Sequence, residues 1–290
     1  MADEVTTWVN GSQRDHLALA DRGLHYGDGV FETMVIHAGK VPLWQRHWRR
    51  LLVGCGRLGI VGLDGRRLAD EVAASSRGCE RGIIKLIVTR GEGGRGYRPP
   101  RDSEAGPPTR ILLRSLWPTY PDYFWREGIT ARLCGIRLAA NPALAGIKHL
   151  NRLEQVMARR EWYDPDIAEG LMCDQMGNVV EGTQSNIFVV RAGRLLTPPV
   201  EHCGVAGVMR GLILDEATAW GLAAEERLLP LAELARSEEV FVCNAVIGVW
   251  PLRRLEQWSF PHGPVTRRVA QATASALLST DTDQPKASST

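Results

Sequence analysis

The chain has 290 residues, 44% of them hydrophobic and 23% charged, which is the composition of a soluble globular protein with one large or two ordinary domains. A formal net charge of +2, with basic residues scattered along the chain, argues against nucleic acid or an acidic membrane surface as a partner. We find neither a secretory signal nor the roughly 20 apolar residues of a membrane span, so we expect a cytoplasmic protein. Six dispersed cysteines, without a CxxC motif or a Cys/His cluster, predict reduced and mostly buried thiols and no structural metal.

The first part of the chain predicts a small α/β domain over residues 1–117. The stretch "VFETMVIHAG" alternates as a strand does, "AGK" predicts a turn to a second strand, and "PLWQRHWRRLLVGCGRLGI" has helical spacing of apolar residues. A second helix is expected in "DGRRLADEVAAS", and the strands "GIIKLIVTR" and "TRILLRSLW" flank a glycine-rich loop. Residues 118–124 contain two prolines and are interpreted as an interdomain linker.

A larger C-terminal domain is predicted over residues 125–279. It begins with the strand "GITARLCGIRL" and the helix "NRLEQVMARREW", and continues with the strands "EGLMCDQ", "GNVVEG" and "SNIFVVRAGRLLTPP". A helix from about Val208 to Trp220, the strand "EEVFVCNA" and a closing helix "PVTRRVAQATASALL" follow. Residues 280–290 are polar and predicted to be disordered. Two mixed α and β domains with a ligand cleft between them are the expected architecture.

One lysine is unusual in its context. The chain has 35 lysine and arginine residues, and only Lys40, Lys85, Lys148 and Lys286 are lysines. Lys40 belongs to a predicted turn, Lys85 to a strand and Lys286 to the polar tail, whereas Lys148 lies in "AGIKHLNRLEQVM". A lysine can lose its proton and act as a nucleophilic amine, which an arginine cannot do. Lys148 is therefore either such an amine or an ordinary solvated side chain at the start of a helix.

The stretch "GEGGRG", residues 91–96, matches the G-x-G-x-x-G pattern of dinucleotide-binding folds. The prolines that follow it prevent a helix from starting there, so that no helix N-terminus is available for a pyrophosphate. The loop is either a solvated flexible segment or a means of presenting Arg90, Arg95, Arg98 and Tyr97 to carboxylates.

Two further stretches could hold a charged ligand. In "HCGVAGVMRGLILDEATAWG" small residues precede a helix whose first amides, at Val208 and Met209, would be available to a phosphate, and Arg50 could supply a charged contact. In "NVVEGTQSNIFVV" Glu181 ends a strand, where a carboxylate is ordinarily exposed. If Glu181 were buried near a pyridine nitrogen, it would keep that ring protonated. An amine, a phosphate cradle, an arginine and a carboxylate together meet the requirements of pyridoxal 5′-phosphate (PLP).

The motifs "DRGLHYGDGVFET", "RHWRRL", "GIKHLNRLEQV", "VVEGTQSNIF" and "GVAGVMR" also occur in the order and spacing of a known family. From about Val9 to the last helix, the chain resembles the class IV aminotransferase-like PLP enzymes. The resemblance implies fold type IV, with a smaller N-terminal and a larger C-terminal domain, PLP in the interdomain cleft, and a homodimer. It assigns Lys148 to the covalent bond with PLP and Glu181 to the pyridine nitrogen. Its phosphate contacts become Arg50, Val208, Met209 and Asn244, although some relatives carry a hydroxyl residue where this chain has "CNAVIG".

Within the family, "RGEGGRGY" and "NPALAGIKHLNRLEQV" are similar to motifs of members that are lyases. This resemblance implies conversion of 4-amino-4-deoxychorismate to 4-aminobenzoate and pyruvate, a step in folate biosynthesis, with Lys148 moving the proton. Arg90, Arg95, Tyr97 and Tyr26 are the expected substrate contacts. The alternatives are an aminotransferase acting on branched-chain or D-amino acids and a PLP-binding protein without catalysis.

Overall fold

The structure is a computed structural model, and it describes residues 5–279. The described chain forms two compact units. The first contains residues 5–118, the short segment Ile147–Asn151 and residues 277–279, and the second contains Thr119–Gly146 and Arg152–Ala276. Both units combine helices with sheet, so the predicted mixed α and β class is confirmed. The predicted disordered tail, residues 280–290, lies outside the described residues.

The first unit is built on a five-stranded antiparallel sheet with the order β2-β1-β5-β4-β3. Its strands are β1 (Thr6–Val9), β2 (Ser12–Gln13), β3 (Gly29–His37), β4 (Arg81–Thr89) and β5 (Thr109–Leu116). Its helices are α1 (Arg22–Tyr26), α2 (Trp44–Leu58) and α3 (Gly65–Ser76). Apolar side chains of β3, β4, β5, α2 and α3 form one hydrophobic core.

Side chains of β3 alternate between the two faces of the sheet, and this alternation places Glu32 on the buried face. Val30, Met34 and Ile36 point into the core of the first unit, because side chains two residues apart lie on the same face of a strand. Glu32 stands in the same row and is therefore buried, with 1% of its surface exposed. A carboxylate in this position needs strong hydrogen-bond donors nearby.

The predicted elements of the first unit are largely confirmed, with one exception. The expected second strand after "AGK" is wrong, because positive φ angles at Ala38 and Gly39 reverse the chain within a single bridge between His37 and Lys40. The helix α2 then begins at Trp44. The short elements β1, β2 and α1 were not predicted, since two to five residues carry too little periodicity.

The second unit contains the remaining strands and helices. The strands are β6 (Ile129–Leu138), β7 (Ile167–Asp174), β8 (Asn178–Gly182), β9 (Asn186–Arg191), β10 (Arg194–Thr197), β11 (Ala224–Glu226), β12 (Leu229–Pro230), β13 (Glu239–Asn244), β14 (Gly248–Leu255) and β15 (Trp258–Ser259). The helices are α4 (Tyr123–Arg126), α5 (Leu153–Arg159), α6 (Val208–Glu216), α7 (Leu231–Leu234) and α8 (Pro264–Leu278).

Six strands of the second unit form a closed ring of pairings in the order β9-β13-β14-β6-β7-β8. The pair Glu181 and Asn186 joins β8 back to β9 and closes the ring. The central strand β14 was missed, because Trp250 and Pro251 interrupt the alternation expected of a strand. The predicted helix ending near Trp220 stops at Glu216, and the helix α4 begins within the segment interpreted as a linker.

Three further expectations concern the cysteines, membrane-spanning helices and metal sites. All six cysteines have free thiols, and all but Cys79 are buried, as predicted. In residues 5–279, no helix is both long enough and apolar enough to cross a membrane. The same residues contain no group of three or more His, Cys, Asp or Glu side chains arranged to hold a metal ion.

Candidate active site

Lys148 lies along the outer edge of β3. The amide of Phe31 donates to the carbonyl of Lys148 at 2.9 Å, and the amide of Leu150 donates to the carbonyl of Gly29 at 3.0 Å. The segment Ile147–Asn151 thereby pairs with the edge strand of the first sheet. The Nζ of Lys148 is 4.3 Å from the centre of the Phe31 ring, within the range of a cation–π contact. Its backbone is thus held by regular pairing, while its amine lies over an aromatic face.

A buried charged cluster surrounds Glu32 in the same unit. Arg50 donates from Nε to Oε1 of Glu32 at 2.8 Å and from Nη2 to Oε2 at 2.5 Å. The Nδ1 of His47 is 2.6 Å from Oε2. His47 and Arg50 are three residues apart in α2 and so lie on the same side of the helix. The carboxylate fixes the guanidinium of Arg50 through two donors on one edge.

The cluster has a definite charge state. Burial alone would raise the pKa of Glu32, but the charge and hydrogen bonds of Arg50 and the hydrogen bond of His47 lower that pKa to about 2. The pKa of His47 is lowered, first because burial disfavours its charged form, although Glu32 opposes this; the charges of Arg50 and Lys148 lower it further. Neutral His47 must donate from Nδ1, because an ionised carboxylate only accepts.

Arg90, expected to bind a substrate carboxylate, makes several hydrogen bonds within the first unit. Its Nε and Nη2 donate to the two oxygens of Asp28 at 2.8 and 3.1 Å. Its Nη1 and Nη2 also donate to the carbonyls of Gly59 and Leu58, each at 2.6 Å. Four of the five guanidinium N–H groups are thus engaged within the protein. Arg90 ties the start of the glycine-rich loop to the end of α2, and its assignment to a substrate carboxylate stays a prediction.

The two tyrosines expected at the substrate are brought together. The ring centres of Tyr26 and Tyr97 are 5.5 Å apart in an edge-to-face arrangement. Tyr26 is the last residue of α1 and is half-buried, whereas 86% of Tyr97 is exposed. Arg95 is also exposed, and forms no hydrogen bond or ion pair with another residue of the described chain. Arg95 thus differs from Arg90 in having its guanidinium available to a ligand.

Glu181 belongs to the second unit and is buried, with 4% of its surface exposed. The default expectation of a surface carboxylate is therefore wrong. Its Oε2 accepts from the amide of Val205 at 2.8 Å, and its Oε1 accepts from Nε2 of Gln155 at 3.4 Å. The strand β8 holds it between pairings to Met172 and Asn186. This is a rigid carboxylate with directed hydrogen bonds.

The N-terminus of α6 in the second unit is formed by backbone. Gly207 is the N-cap and provides no side chain to bond the first amides, which include those of Val208 and Met209. A Cβ on Gly207 would collide with Oδ1 of Asn186, so that a larger residue there would displace the Asn186 side chain. Amides at such a helix start attract anions through hydrogen bonds and through the helix dipole.

Asn244 is engaged in a turn of the second unit. Its Oδ1 accepts from the amides of Val246 and Ile247 at 2.8 and 2.9 Å, and its Nδ2 donates to the carbonyl of Gln184 at 3.0 Å. These bonds shape the connection between β13 and β14. They account for the side chain without a ligand, and the assignment of Asn244 to the cofactor stays a prediction.

Three residues with clear structural roles were missed by sequence reasoning: Glu32 and His47 of the charged cluster, and Arg22, which donates to the loop carbonyls of Gly96 and Tyr97. The signal for Glu32 was available, since a glutamate at an inward position of an otherwise apolar row requires a buried partner. For Arg22 the sequence offered no signal for its place in the loop, because the two loop carbonyls that it binds are more than seventy residues away.

A known family matches this chain over most of its length. The sequence model of the family described as Amino-transferase class IV matches residues 29–255. The chain therefore belongs to the class IV aminotransferase family, as the motifs predicted.

Individual relatives show which members of the family this chain resembles more strongly. The chain is 34% identical to an aminodeoxychorismate lyase from Vibrio harveyi, over 90% of this chain and 97% of the relative. The crystal structure of 4-amino-4-deoxychorismate lyase from Pseudomonas aeruginosa superimposes with a TM-score of 0.90 and 47% identity, covering 94% of this chain and 99% of that one. A branched-chain-amino-acid aminotransferase from Escherichia coli K12 is 27% identical over 91% of this chain and 90% of its own. The predicted fold type IV and the closer resemblance to the lyases are confirmed.

Proposed function

We propose that this protein is a PLP-dependent lyase that converts 4-amino-4-deoxychorismate to 4-aminobenzoate and pyruvate. The observation that carries the proposal is the 47% identity to a 4-amino-4-deoxychorismate lyase over nearly the whole of both chains. The identity to the aminotransferase is much lower over a similar length.

The described residues fit PLP as a cofactor. Lys148 and Arg50 of the first unit supply an amine and an oriented guanidinium. Glu181 and the amides of Val208 and Met209, in the second unit, supply a buried carboxylate and a helix start without a side-chain cap. We assign Lys148 to the cofactor aldehyde, Glu181 to the ring nitrogen, and Arg50 with the two amides to the phosphate. The position of PLP between the two domains stays a prediction.

Bound PLP supplies an electron sink, because its protonated ring accepts the electron pair left on a carbon that loses a proton. Glu181 would hold the ring nitrogen, where a carboxylate stabilises the protonated form of the ring. The amine of Lys148 removes the proton from the amine-bearing carbon of the substrate. Departure of the neighbouring enolpyruvyl group leaves an aromatic ring, and Lys148 returns the proton to the enol carbon to give pyruvate.

Substrate carboxylates and the substrate ring require different contacts. Arg95 is our candidate for a carboxylate, because its guanidinium is exposed in the glycine-rich loop. Tyr26 and Tyr97 offer two aromatic surfaces to the ring. The family resemblance also supports a homodimer and a cytoplasmic location, and both stay predictions.

The experiment that tests the proposal supplies 4-amino-4-deoxychorismate to the PLP-loaded protein without any keto acid. We expect 4-aminobenzoate and pyruvate in equal amounts, since a lyase regenerates its cofactor without an acceptor. An aminotransferase would need a second half-reaction. Efficient amine transfer from alanine or a branched-chain amino acid to 2-oxoglutarate, without any 4-aminobenzoate from the ring substrate, would reject the lyase and favour the aminotransferase.

A further inference from the structure

We propose that Arg22 is a positioning residue that sets the affinity for the ring substrate by holding Tyr97 against Tyr26. The inference rests on the proposed function and deepens it by naming a determinant of substrate specificity. All of its observations come from the first unit.

Arg22 connects α1 to the glycine-rich loop, and all three nitrogens of its guanidinium donate hydrogen bonds. Its Nη1 donates to the carbonyl of Gly96 at 3.0 Å and its Nη2 to the carbonyl of Tyr97 at 2.9 Å. Its Nε donates to Oδ2 of Asp28 at 2.9 Å, and the guanidinium carbon is 4.8 Å from the centre of the Tyr26 ring. One side chain therefore contacts both the backbone of Tyr97 and the ring of Tyr26.

Asp28 fixes Arg22 in this orientation. Burial alone would raise the pKa of Asp28, but hydrogen bonds and charges of Arg90 and Arg22 lower that pKa below its ordinary value. The ionised carboxylate thus lies between two guanidinium groups, and Arg90 is tied to the end of α2. Because Arg22 itself is only 3% exposed, it affects a substrate through the residues it holds and not by direct contact.

Glycines allow the loop to pack closely against Arg22. A Cβ on Gly93 would lie 2.5 Å from Cδ of Arg22, so that a side chain there would displace the arginine. Gly91 and Gly96 have φ angles of 88° and 87°, which favour glycine. The glycine run that resembled a phosphate-binding motif therefore allows the loop to lie across Arg22.

The tyrosine pair is also connected to the segment that carries Lys148. The carbonyl of Gly27, next to Tyr26, accepts from Nδ2 of Asn151 at 3.2 Å. Asn151 is three residues from Lys148 in the same short segment. An aromatic pair anchored there is suited to contact the ring of a substrate whose amine reaches Lys148.

The test uses Arg22→Lys, Tyr97→Ala and the double variant in the PLP-loaded protein. Arg22 reaches Asp28 and the two carbonyls from three separate nitrogens, and a lysine has a single nitrogen that cannot reproduce this spacing. Arg90 still pairs with Asp28 in this variant and preserves the fold. We expect Arg22→Lys and Tyr97→Ala each to raise KM for 4-amino-4-deoxychorismate by about 10-fold with kcat within about twofold, the scale of losing one aromatic contact. The double variant should resemble either single variant, because both changes remove the same contact.

A second measurement does not depend on catalysis. Trypsin should cleave the Arg95–Gly96 bond several-fold faster in Arg22→Lys than in the wild type, with or without PLP, because the next two carbonyls lose their donors. Arg101→Gln is the matched control, since Arg101 is another arginine of this loop with a 74% exposed side chain. Its KM and cleavage rate should equal those of the wild type.

A wild-type KM in Arg22→Lys, additive effects in the double variant, or unchanged cleavage at Arg95 would overturn the role of Arg22. Wild-type turnover is measured first. Its absence would reject the proposed function, whereas an active wild type with an unaffected Arg22→Lys variant rejects only this inference.

Discussion

At the scale of single residues, Glu32 explains how an arginine and a histidine can be oriented inside an apolar sheet. Its two oxygens accept three hydrogen bonds from Arg50 and His47. The pair of charges is buried, so removal of one partner would leave the other without compensation, at a cost of roughly 3–5 kcal/mol. Arg50 is thus held in one orientation before any phosphate reaches it.

Lys148 provides a prediction at the same scale. Lys148→Ala should lose the covalent attachment of PLP and nearly all turnover, because alanine has no amine to bond the aldehyde or to move the proton. Borohydride reduction followed by peptide mass spectrometry is the measurement. Lys40→Ala is the control, since Lys40 lies in an exposed turn, and it should keep wild-type attachment. A pyridoxyl group found on Lys40, Lys85 or Lys286 of the wild type would show that the assignment is wrong.

At the scale of elements, the backbone that leads into α6 is held by the side chains of Asn186 and Glu181. Asn186 donates from Nδ2 to the carbonyl of Val205 at 2.9 Å, while its Oδ1 faces Gly207. The amide of Val205 donates in turn to Glu181. The short stretch of backbone from Val205 to Met209 therefore both orients the carboxylate of Glu181 and provides the proposed phosphate contacts.

Gly207→Ala should disturb this stretch. The added methyl group would displace Asn186, and we expect PLP to bind about 10-fold more weakly with a loss of roughly 1–3 kcal/mol in stability. Titration of the PLP-free protein with PLP and chemical unfolding give the two values. Gly56→Ala is the matched control, because a Cβ on Gly56 in α2 meets no atom within 4 Å. Unchanged PLP affinity in Gly207→Ala would argue against the phosphate assignment.

At the scale of the whole molecule, the charged cluster predicts acid sensitivity. Glu32 has its pKa lowered from 4.5 to about 2, so the unfolded chain takes up this proton first as the pH falls. The stabilisation is therefore present above pH 4.5 and is lost between that pH and about 2, with a full value of about 3 kcal/mol. The lowered pKa of His47 acts in the same direction, with its loss beginning below pH 6.5.

We expect the free energy of unfolding, measured with urea at several pH values from 7 to 3, to fall with decreasing pH. Glu32→Gln should be less stable at pH 7 and should show a shallower fall, because it has no proton to take up at this position. Glu104→Gln, a change at an exposed position, should retain the wild-type slope. Equal slopes in the wild type and Glu32→Gln would exclude Glu32 as the source.

The sequence alone determined the helices and strands whose apolar residues recur at regular spacing, and it identified the family. The strand β3, the helices α2, α3 and α8, and the strands around Glu181 follow from apolar spacing, which is a local property. The choice of Lys148 followed from chemistry, since only lysine offers a nucleophilic amine in a chain rich in arginine. The family motifs gave the lyase resemblance.

The tertiary structure alone decided what the arginines do. In the sequence Arg90 and Arg95 are equivalent members of one loop, but the fold surrounds Arg90 with Asp28 and two carbonyls and leaves Arg95 exposed. Arg22 was not a candidate, yet it holds the loop. The burial of Glu181 was equally undetermined, because it depends on the closure of β8 onto β9. Such roles depend on groups far apart in the chain, and a local sequence pattern does not specify which of them meet.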